Sequence, residues 1–392
     1  FYSPRFPDQF EETATGFGSV SFKSGINFPI SITAYFRRHY DHFLLKRDDP
    51  QFYENFHRTD RYGINSHLSY SSRFGTTTVG FNFKADEILS SLLGNKISPR
   101  IKVRGTDSTY YSVGAETHHY HFFAEQSINI DRWYLSLGFM AGTNSFLNNE
   151  FNIYPGIDAA YWLTKEIKLS VSFQKTLRTP TYTDLYYTDP STRGNENLRP
   201  EEAVGFDAGL KIYKGNWTWQ AFSYYQSGNN LIAYVWQPEL NLRLAKNIED
   251  VKVHGVETNL EFQPDTRWLS SASIGYAYNS VNKSLDEIPD NLKHKLIAGF
   301  KHKIISDLQM YWNVRFIDRE GSFISYSTSN NSFPQTDYKP YWLMDMKISY
   351  HFNIMRIFMN LTNVLNTKYH EITSLKQPGR WLKVGLEIKI ER

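Results

Sequence analysis

The sequence predicts an all-β chain, and more narrowly a transmembrane antiparallel β-barrel. Apolar and polar residues alternate with a period of two along many stretches, the pattern of strands with one apolar and one polar face. No stretch shows the periodicity of an amphipathic helix of about 10–12 residues, and no run approaches the roughly 18 apolar residues of a membrane helix. Short turns alternate with long polar loops along the chain, which is typical of a barrel that crosses a membrane.

The composition supports strands and excludes several other classes. The chain has 392 residues, and 27 Tyr and 28 Phe account for most of its 16% aromatic content. Aromatic residues favour strands, and Tyr and Trp also collect where lipid meets water. A formal net charge of +3 produces no strong field, so nucleic acid is not an expected partner. The absence of cysteine excludes a disulfide scaffold and thiol catalysis.

The first half of the chain contains a regular series of predicted strands. The clearest is the stretch from Ile167, where Ile, Leu, Val and Phe alternate with Lys, Ser, Ser and Gln. The predicted strands of this half are 16–24, 30–40, 61–71, 74–83, 108–130, 133–143, 151–163 and 167–174.

The second half repeats the pattern. From Tyr341, the side chains of Trp342, Met344, Met346 and Ile348 share one face. The predicted strands of this half are 204–213, 217–233, 242–262, 268–279, 292–301, 308–316, 341–350, 355–361 and a last strand within 379–392. The total is about 17 strands of about the ten-residue length that spans a tilted hydrocarbon layer.

The connections decide between a membrane barrel and a soluble fold. Tight turns are predicted near residues 25, 73, 131, 164, 215, 265, 305 and 353. Long polar loops are predicted at 41–59, 84–107, 177–202, 282–290, 317–339 and 363–379. A β-propeller would show a recurring repeat, and a soluble sandwich would have more aliphatic inner faces. Here no repeat recurs, and the face opposite the apolar one carries Lys, Gln, Asn, Ser and Gly, as a wet lumen would.

The most specific motifs lie between residues 172 and 257. One element reads R-x-P-x-x-x-D-L-Y, from Arg178 to Tyr186, and a second reads G-N-x-N-L-x-P-E, from Gly194 to Glu201. A third, Asn247 to Glu257, reads N-x-x-x-x-x-x-x-G-V-E. Near the C-terminus, NLTNVLNTKY is followed by QPGRW.

In this order these elements closely resemble TonB-dependent outer-membrane receptors, and the resemblance covers nearly the whole chain. It implies that residues 1–392 form the C-terminal part of the β-barrel domain, in the Gram-negative outer membrane. The barrel of the family has about 22 strands and a plugged lumen. The plug domain, the segment that contacts TonB and about five early strands are therefore expected from sequence outside these residues.

Within that family the chain is most similar to cobalamin receptors of the Bacteroidota type. The stretch His39 to Gly63 and the LIAYV that follows Asn230 carry this resemblance. It implies a receptor that binds a scarce, large ligand at its extracellular face and imports it with energy from TonB. The implied partners are TonB, the plug domain, cobalamin or a similar ligand, the lipid bilayer and a surface lipoprotein. A siderophore, haem or glycan importer is the alternative in the same class, and a passive porin or a barrel hydrolase is the alternative in another.

Transport of this kind requires no catalytic residue, metal or cofactor, and none is predicted. Large ligands are held by aromatic and amide side chains, which give contact area and hydrogen bonds at low entropic cost. The candidate ligand-binding residues are Tyr182, Tyr186, Tyr187, Asn195, Tyr234, Trp236, Tyr326, Asn330 and Asn331. The interface girdle of a barrel is the competing role for the tyrosines.

The last strand is the clearest two-faced segment. Leu382, Val384, Leu386, Ile388 and Ile390 point one way, and the lysines and the glutamate between them point the other. On a membrane barrel the apolar set faces lipid, and Lys383 and Glu387 face the lumen. This strand is expected to close the barrel against a first strand that lies outside these residues.

Overall fold

The computed structural model describes residues 6–26, 28–147, 150–264, 266–282, 291–327, 329–330, 332–371 and 375–389. Within these residues the chain is almost entirely extended, with 23 strands, one α-helix and one 3-10 turn. No helix in the described ranges has the length and apolar content needed to cross a membrane.

The strands up to the helix are β1 (Phe10–Ser24), β2 (Ile30–Leu44), β3 (Glu54–Ser72), β4 (Gly75–Ser90), β5 (Asn95–Lys102), β6 (Tyr110–Ile130), β7 (Trp133–Asn144), β8 (Asn152–Trp162) and β9 (Ile167–Arg178). The 3-10 turn is Ser145–Leu147, and the helix α1 is Tyr182–Tyr186. The later strands are β10 (Thr192–Arg193), β11 (Glu201–Lys214), β12 (Trp217–Asn229), β13 (Leu231–Gln237), β14 (Leu242–Ile248), β15 (Val251–Phe262), β16 (Leu269–Val281), β17 (Asn291–Ile305), β18 (Leu308–Glu320), β19 (Ser322–Ile324), β20 (Gln335–Asp337), β21 (Tyr341–Phe352), β22 (Met355–Thr362) and β23 (Trp381–Ile388).

The all-β prediction is confirmed. Eighteen of the strands in the described part of the chain belong to one large sheet. One of them is the short β5, which pairs with β6 at residues 110–114, beyond the stretch that β7 occupies. Without β5 the large sheet has 17 strands, which is the number that the sequence predicts. Strands β10, β13 and β14 form a separate small sheet, and β19 and β20 form a pair.

The chain divides into two compact units. The first comprises Phe1–Ala160, Ser172–Phe206 and Gln226–Val251. The second comprises Tyr161–Val171, Asp207–Tyr225 and Lys252–Arg392.

In the first unit, β1, β2, β3, β4, β6 and β7 pair in that order, and every pair is antiparallel. The turns that join them are short where the sequence predicts tight turns. Gly25 and Asp131 have positive φ there (96° and 50°), the left-handed conformation that lets a short turn reverse the chain.

In the second unit, β15, β16, β17, β18, β21, β22 and β23 follow the same antiparallel order. Gly215 and Asn353 close tight turns with positive φ (56° and 50°). The turn predicted near 265 includes Asp265, which lies outside the described residues. The loop predicted at 282–290 lies almost wholly outside them too.

The outer face of the second unit is apolar along neighbouring strands. Leu382 pairs with Leu361, Val384 with Met359, and Leu386 with Ile357. The three β23 side chains of these pairs are each more than half exposed. A continuous exposed apolar face of this kind matches the lipid-facing band of a membrane barrel.

Exposed tryptophans lie at both ends of the strands in the second unit. Trp217 stands next to a short turn, Trp268 comes directly before β16, and Trp342 stands next to a long connection. Trp342 packs beside Phe316 with ring centroids 5.0 Å apart. Aromatic residues in these positions form the girdles at the two membrane interfaces.

Two predicted loops are wrong in their extent. The loop predicted at 41–59 is shorter, because β2 continues to Leu44 and β3 begins at Glu54. The loop predicted at 84–107 is mostly extended, because β4 continues to Ser90 and β5 follows. The first of these segments is polar because its side chains pair with each other across strands, as His42 of β2 and Glu54 of β3 do at 2.8 Å.

Two predicted strands are interrupted. The strand predicted at 217–233 breaks at Asn230, and the strand predicted at 242–262 breaks at Asp250. Both residues have positive φ (59° and 53°), which a strand does not accommodate and which Asn and Asp tolerate better than most residues. The breaks separate β13 and β14 from the large sheet and turn them into a sheet of their own.

Candidate functional site in the loops of the first unit

The connection between β9 and β11 is an ordered segment that begins with the helix α1. Thr181 is the N-cap, and its hydroxyl accepts a hydrogen bond from the Asp184 amide at 3.1 Å. The Asp184 carboxylate accepts a hydrogen bond from the Thr181 amide at 2.9 Å. This reciprocal capping box explains why the R-x-P-x-x-x-D-L-Y element has an aspartate at this position.

Arg178 connects this helix to the next strand. Its guanidinium donates two hydrogen bonds to Glu201, at 2.6 and 2.5 Å, and a longer one to Asp184 at 3.4 Å. Glu201 also accepts a hydrogen bond from the Ile232 amide at 2.7 Å. A forked, charge-assisted contact of this kind fixes geometry as well as adding energy. Arg178 is the first residue of the R-x-P-x-x-x-D-L-Y element, and Glu201 is the last residue of the G-N-x-N-L-x-P-E element. Their contacts therefore link α1, β11 and β13.

Asn247 connects the small sheet to the end of the second motif. Its side-chain amide donates to the carbonyls of Arg199 and Asn230 at 2.9 and 2.8 Å. Its side-chain oxygen accepts from the Arg199 amide at 2.8 Å. A single asparagine thereby satisfies three backbone groups of two connecting segments.

A small apolar core lies beneath these contacts, and we call it the loop cluster. Its buried members are Leu185, Leu198 and Ala245. Partly buried side chains pack against it: Phe146, Tyr186, Ile232 and Tyr234. Gly194 packs closely against this segment. A Cβ atom there would stand 2.8 Å from the carbonyl oxygen of Asp184, so a larger residue would not fit without a shift of the backbone.

Three of the predicted ligand-binding tyrosines use their hydroxyl groups within this loop structure. Tyr182 donates to the Asp86 carbonyl at 2.6 Å, and Tyr234 donates to the Thr183 carbonyl at 3.2 Å. The Tyr186 hydroxyl accepts a hydrogen bond from Asn95 at 3.3 Å. Burial raises the pKa of Tyr182 and of Tyr234, so both hydroxyls remain donors. Tyr186 and Tyr234 also pack against the loop cluster.

Tyr187 is placed differently, because it lines a cavity. Its hydroxyl donates to Asp189 at 2.9 Å and also interacts with Tyr53. Burial, followed by the charge of Asp189, raises the pKa of Tyr187. Of the tyrosines predicted to bind ligand, this one lies at the wall of a volume that a ligand can enter.

Asn195 and Trp236 lie in the same unit. The Asn195 amide donates to the Ala245 carbonyl at 3.2 Å, and its oxygen accepts from the Asn197 amide at 3.0 Å. Asn195 therefore shapes the loop. Trp236 is partly buried on β13, opposite Arg243 on β14.

The remaining predicted residues belong to the second unit. The ring of Tyr326 packs against Phe333, with centroids 5.5 Å apart. Asn330 is exposed, and its oxygen accepts hydrogen bonds from the amide and hydroxyl of Ser332. Asn331 lies outside the described residues. The structure brings Tyr182, Tyr186, Tyr187, Asn195, Tyr234 and Trp236 into the first unit, and each of these assignments to ligand binding stays a prediction.

The cavity of the first unit has a volume of about 530 Å³. Tyr187, Asp189 and neighbouring loop residues form one side of it. The other side consists of strand residues that the sequence prediction missed: Glu11 of β1, His39, Asp41 and Phe43 of β2, and Asn55, His57 and Thr59 of β3. Volumes of several hundred Å³ with aromatic and polar walls are typical of ligand sites.

A signal for these missed residues is present in the sequence. His39, Asp41 and Phe43 are spaced by two, as are Asn55, His57 and Thr59, so a strand would place each set on one face. The antiparallel register then pairs Asp41 with His57 and His39 with Thr59. Predicting a loop across 41–59 removed this information.

A second cavity, of about 410 Å³, lies in the second unit. It is lined by residues of β12, β15, β16 and β17, among them Tyr224, Glu257, Asn279 and Lys295. Tyr224 donates to Asn279 at 3.3 Å. The glycine of the third motif, Gly255, leaves the space in which the Tyr224 ring lies. Among the described residues no three His, Asp or Glu side chains are grouped to hold a metal ion.

Comparisons with known proteins identify the family of this chain. The family described as TonB dependent receptor-like, beta-barrel matches residues 2–364. A curated relative, the vitamin B12 transporter BtuB of Photobacterium profundum, is 26% identical over 200 residues, which is 49% of this chain and 30% of the relative.

Solved structures share the fold. A mutant of the ferric enterobactin receptor PfeA from Pseudomonas aeruginosa superposes with a TM-score of 0.73 at 14% identity, over 96% of this chain and 62% of that one. The siderophore receptor PirA from Acinetobacter baumannii gives 0.72 at 13% identity, over 96% and 62%. The FrpB iron transporter from Neisseria meningitidis gives 0.71 at 14% identity, over 96% and 63%.

The chain thus spans less than two thirds of the length of these relatives. The family match covers nearly all of the chain and agrees with the sequence motifs, the 18-stranded sheet of the described residues and the exposed apolar face. The chain belongs to the TonB-dependent receptor β-barrel family, whose members are receptors and transporters, and it is a protein of the outer membrane.

Proposed function

We propose that this chain is the ligand-binding part of an energy-coupled importer that takes up cobalamin. In this proposal the long connections face outward, and the ligand binds at the loop end of the first unit. The observation that carries the proposal is the cavity of about 530 Å³, which an ordered loop and the strand wall enclose together. A mobile loop alone would offer no preformed volume of this kind.

The proposal of cobalamin as the ligand rests on one relative, because the fold is shared by receptors for different ligands. The curated relative is a vitamin B12 transporter, in line with the resemblance of the stretch from His39 to Gly63. Solved structures at 13–14% identity are siderophore and iron receptors, and at that identity they support the fold alone. A siderophore, haem or glycan importer is therefore the alternative that binding must exclude.

No covalent step is needed for this function. The chain must hold a large ligand long enough for an energy input to release it, so shape and hydrogen bonding do the work. Tyr187, with its rigid ring and a hydroxyl already fixed by Asp189, suits this role because little entropy is lost on binding. The Arg178 and Asn247 contacts keep the loop side of the cavity in place before ligand arrives.

The rest of the machinery is proposed to come from sequence outside these residues. It comprises a plug domain, the segment that contacts TonB and about five early strands that bring the barrel to about 22. A surface lipoprotein is proposed as an outer partner. The early strands would pair with the edges at β1 and β23, since lipid does not tolerate unpaired strand edges.

Calorimetry on the full-length receptor in detergent tests the ligand. Cyanocobalamin is expected to bind with a single-site isotherm, and Tyr187→Ala is expected to weaken it by about tenfold, as for loss of a central aromatic contact. Tyr110→Ala, which removes an exposed tyrosine that does not line the cavity, is the matched control. Absence of cyanocobalamin binding would contradict the cobalamin assignment.

Uptake of labelled cobalamin separates an importer from a passive porin. Cells carrying the receptor are expected to accumulate cobalamin only when TonB is present and the inner membrane is energised. Uptake that continues unchanged after TonB is deleted would indicate passive diffusion.

A further inference from the structure

Three buried polar atoms of the first-unit cavity have no hydrogen-bond partner among the described residues. They are Asp41 Oδ1, Asn55 Oδ1 and His57 Nδ1. Asn55 is 1% exposed and His57 is 9% exposed, and all three side chains line the cavity. Buried polar atoms are almost always paired in folded proteins, so three unpaired ones on one wall leave hydrogen-bonding capacity that a ligand group can use.

The strand register places these atoms side by side. Asp41 of β2 lies directly opposite His57 of β3, and Phe43 lies directly opposite Asn55. The two pairs are successive on the same face of the sheet, so a carboxylate, an amide and an imidazole share one patch with an aromatic ring.

The charge of the cavity is negative. Its carboxylates are Glu11, Asp41 and Asp189, and the described residues that line it include no lysine and no arginine. Asp189 is already occupied, since it accepts hydrogen bonds from Tyr187, Ser191 and the Thr192 amide. Glu11 is exposed, whereas Asp41 is partly buried and has an unpaired oxygen. Asp41 is therefore the carboxylate placed to meet a ligand, and an anionic group there would suffer like-charge repulsion.

A primary carboxamide satisfies this patch. Its two N–H groups can donate to the Asp41 carboxylate and to the Asn55 oxygen, and its carbonyl can accept from a His57 nitrogen that carries its proton. A carboxylate or a catecholate offers acceptors only and adds charge of the wrong sign.

We infer that this cavity recognises an uncharged, N–H-rich part of the ligand through Asp41, Asn55 and His57, and that it rejects anionic ligands. The inference rests on the proposed receptor function and names the ligand chemistry for it. Corrinoids, whose rim carries several primary amides, belong to the accepted class. Ferric catecholates and haem, with their negative charges, belong to the rejected class.

The direct test uses ligands that differ by one group. Cyanocobalamin and its three monocarboxylic acids, each with one propionamide converted to a carboxylate, are titrated into the full-length receptor. At neutral pH one of the acids is expected to bind at least about tenfold more weakly than cyanocobalamin, because its carboxylate meets Asp41. Asp41→Asn, which keeps the shape and removes the charge, is expected to restore binding of that acid.

Two further variants make the result specific. Asp49→Asn removes an exposed carboxylate of the neighbouring loop and is expected to leave the discrimination unchanged. Asn55→Leu removes the amide and is expected to weaken cyanocobalamin by about tenfold through the donors that it leaves unpaired. If the Asn55→Leu receptor does not fold, the restored binding of the acid by Asp41→Asn tests the inference without it.

The outcomes separate this inference from the receptor function. Equal binding of cyanocobalamin and all three acids to the unaltered receptor would overturn the inference and leave cobalamin import intact. If cyanocobalamin does not bind, ferrichrome (uncharged) and ferric enterobactin (anionic) are titrated in its place. Ferrichrome binding that Asn55→Leu weakens would support the inference and overturn the cobalamin assignment. Ferric enterobactin binding that Asn55→Leu weakens would overturn the inference, and binding of none of the three would overturn both.

Discussion

Arg178 shows how one side chain can shape a binding surface without touching ligand. Its guanidinium holds Glu201 through two bonds and reaches Asp184, and Glu201 in turn holds the start of β13 through the Ile232 amide. The guanidinium is about half exposed, so solvent screens the attraction and its contribution to global stability is small. Its effect is expected on the position of α1 and the loop cluster.

Glu201→Gln is therefore expected to loosen the loop and spare the strands. The neutral amide cannot form the charge-assisted fork, so ligand affinity should fall by about fivefold to tenfold. Limited proteolysis should cut within residues 182–199 faster, and the thermal unfolding midpoint of the whole receptor should change little.

Arg199→Gln is the matched control for that experiment. Arg199 pairs with Glu249 in the same loops, but both side chains are exposed, and such pairs contribute little. Equal effects of the two variants on proteolysis and affinity would show that the Arg178 contact has no special positioning role.

At the scale of the element, the connection before β23 is held by one asparagine. Asn363 is buried, and its side chain donates to the carbonyls of Thr367 and Pro378 and accepts from the Thr367 amide. The backbone N–H of Asn363 donates a hydrogen bond to the Asp345 carboxylate at 2.8 Å. The positive φ of 49° at Asn363 adds a conformational reason for asparagine.

Asn363→Ala is expected to destabilise the folded receptor by about 1–3 kcal/mol, because it leaves buried backbone groups unpaired. The measurement is the thermal unfolding midpoint in detergent, followed by intrinsic tryptophan fluorescence. Asn330→Ala, at an exposed site, should leave the midpoint unchanged. A midpoint unaltered by Asn363→Ala would mean that this connection does not limit stability.

Alternation made most of the strands predictable from sequence, because a side chain that faces lipid must be apolar. It failed at the strand ends that extend beyond the apolar alternation, as on β2, β3 and β4. There charged side chains replace the apolar ones, as with Asp86 of β4, which pairs with Arg61 of β3, so this part of a strand resembles a loop. The period-two spacing of Asp41 and His57 could have placed both on one wall, whereas Tyr187 comes from a distant segment that only the tertiary structure brings to that wall.

At the scale of the whole molecule, a membrane barrel requires one face of its sheet to be apolar and the other to be polar. On β23 the side chains of Leu382, Val384 and Leu386 are exposed, and their predicted contact with lipid stays a prediction; Ile390 lies outside the described residues. The opposite face carries Lys383 and Glu387, and Glu387 forms an ion pair with Arg356 of β22. An exposed face this apolar would aggregate in water, so we expect it to contact lipid.

Val384→Arg tests that orientation. Val384 is 70% exposed and lies near the middle of β23, so a charge there would enter hydrocarbon and cost about 2–4 kcal/mol. The expected result is a lower thermal unfolding midpoint in lipid vesicles and a smaller fraction of folded receptor, read from migration of unheated samples on a gel. Ser349→Arg places the same charge on the opposite face of β21, beside Gln309 and Phe358, where a wet lumen accepts it at smaller cost. If Ser349→Arg destabilised the receptor more than Val384→Arg does, the assignment of the two faces would have to be reversed.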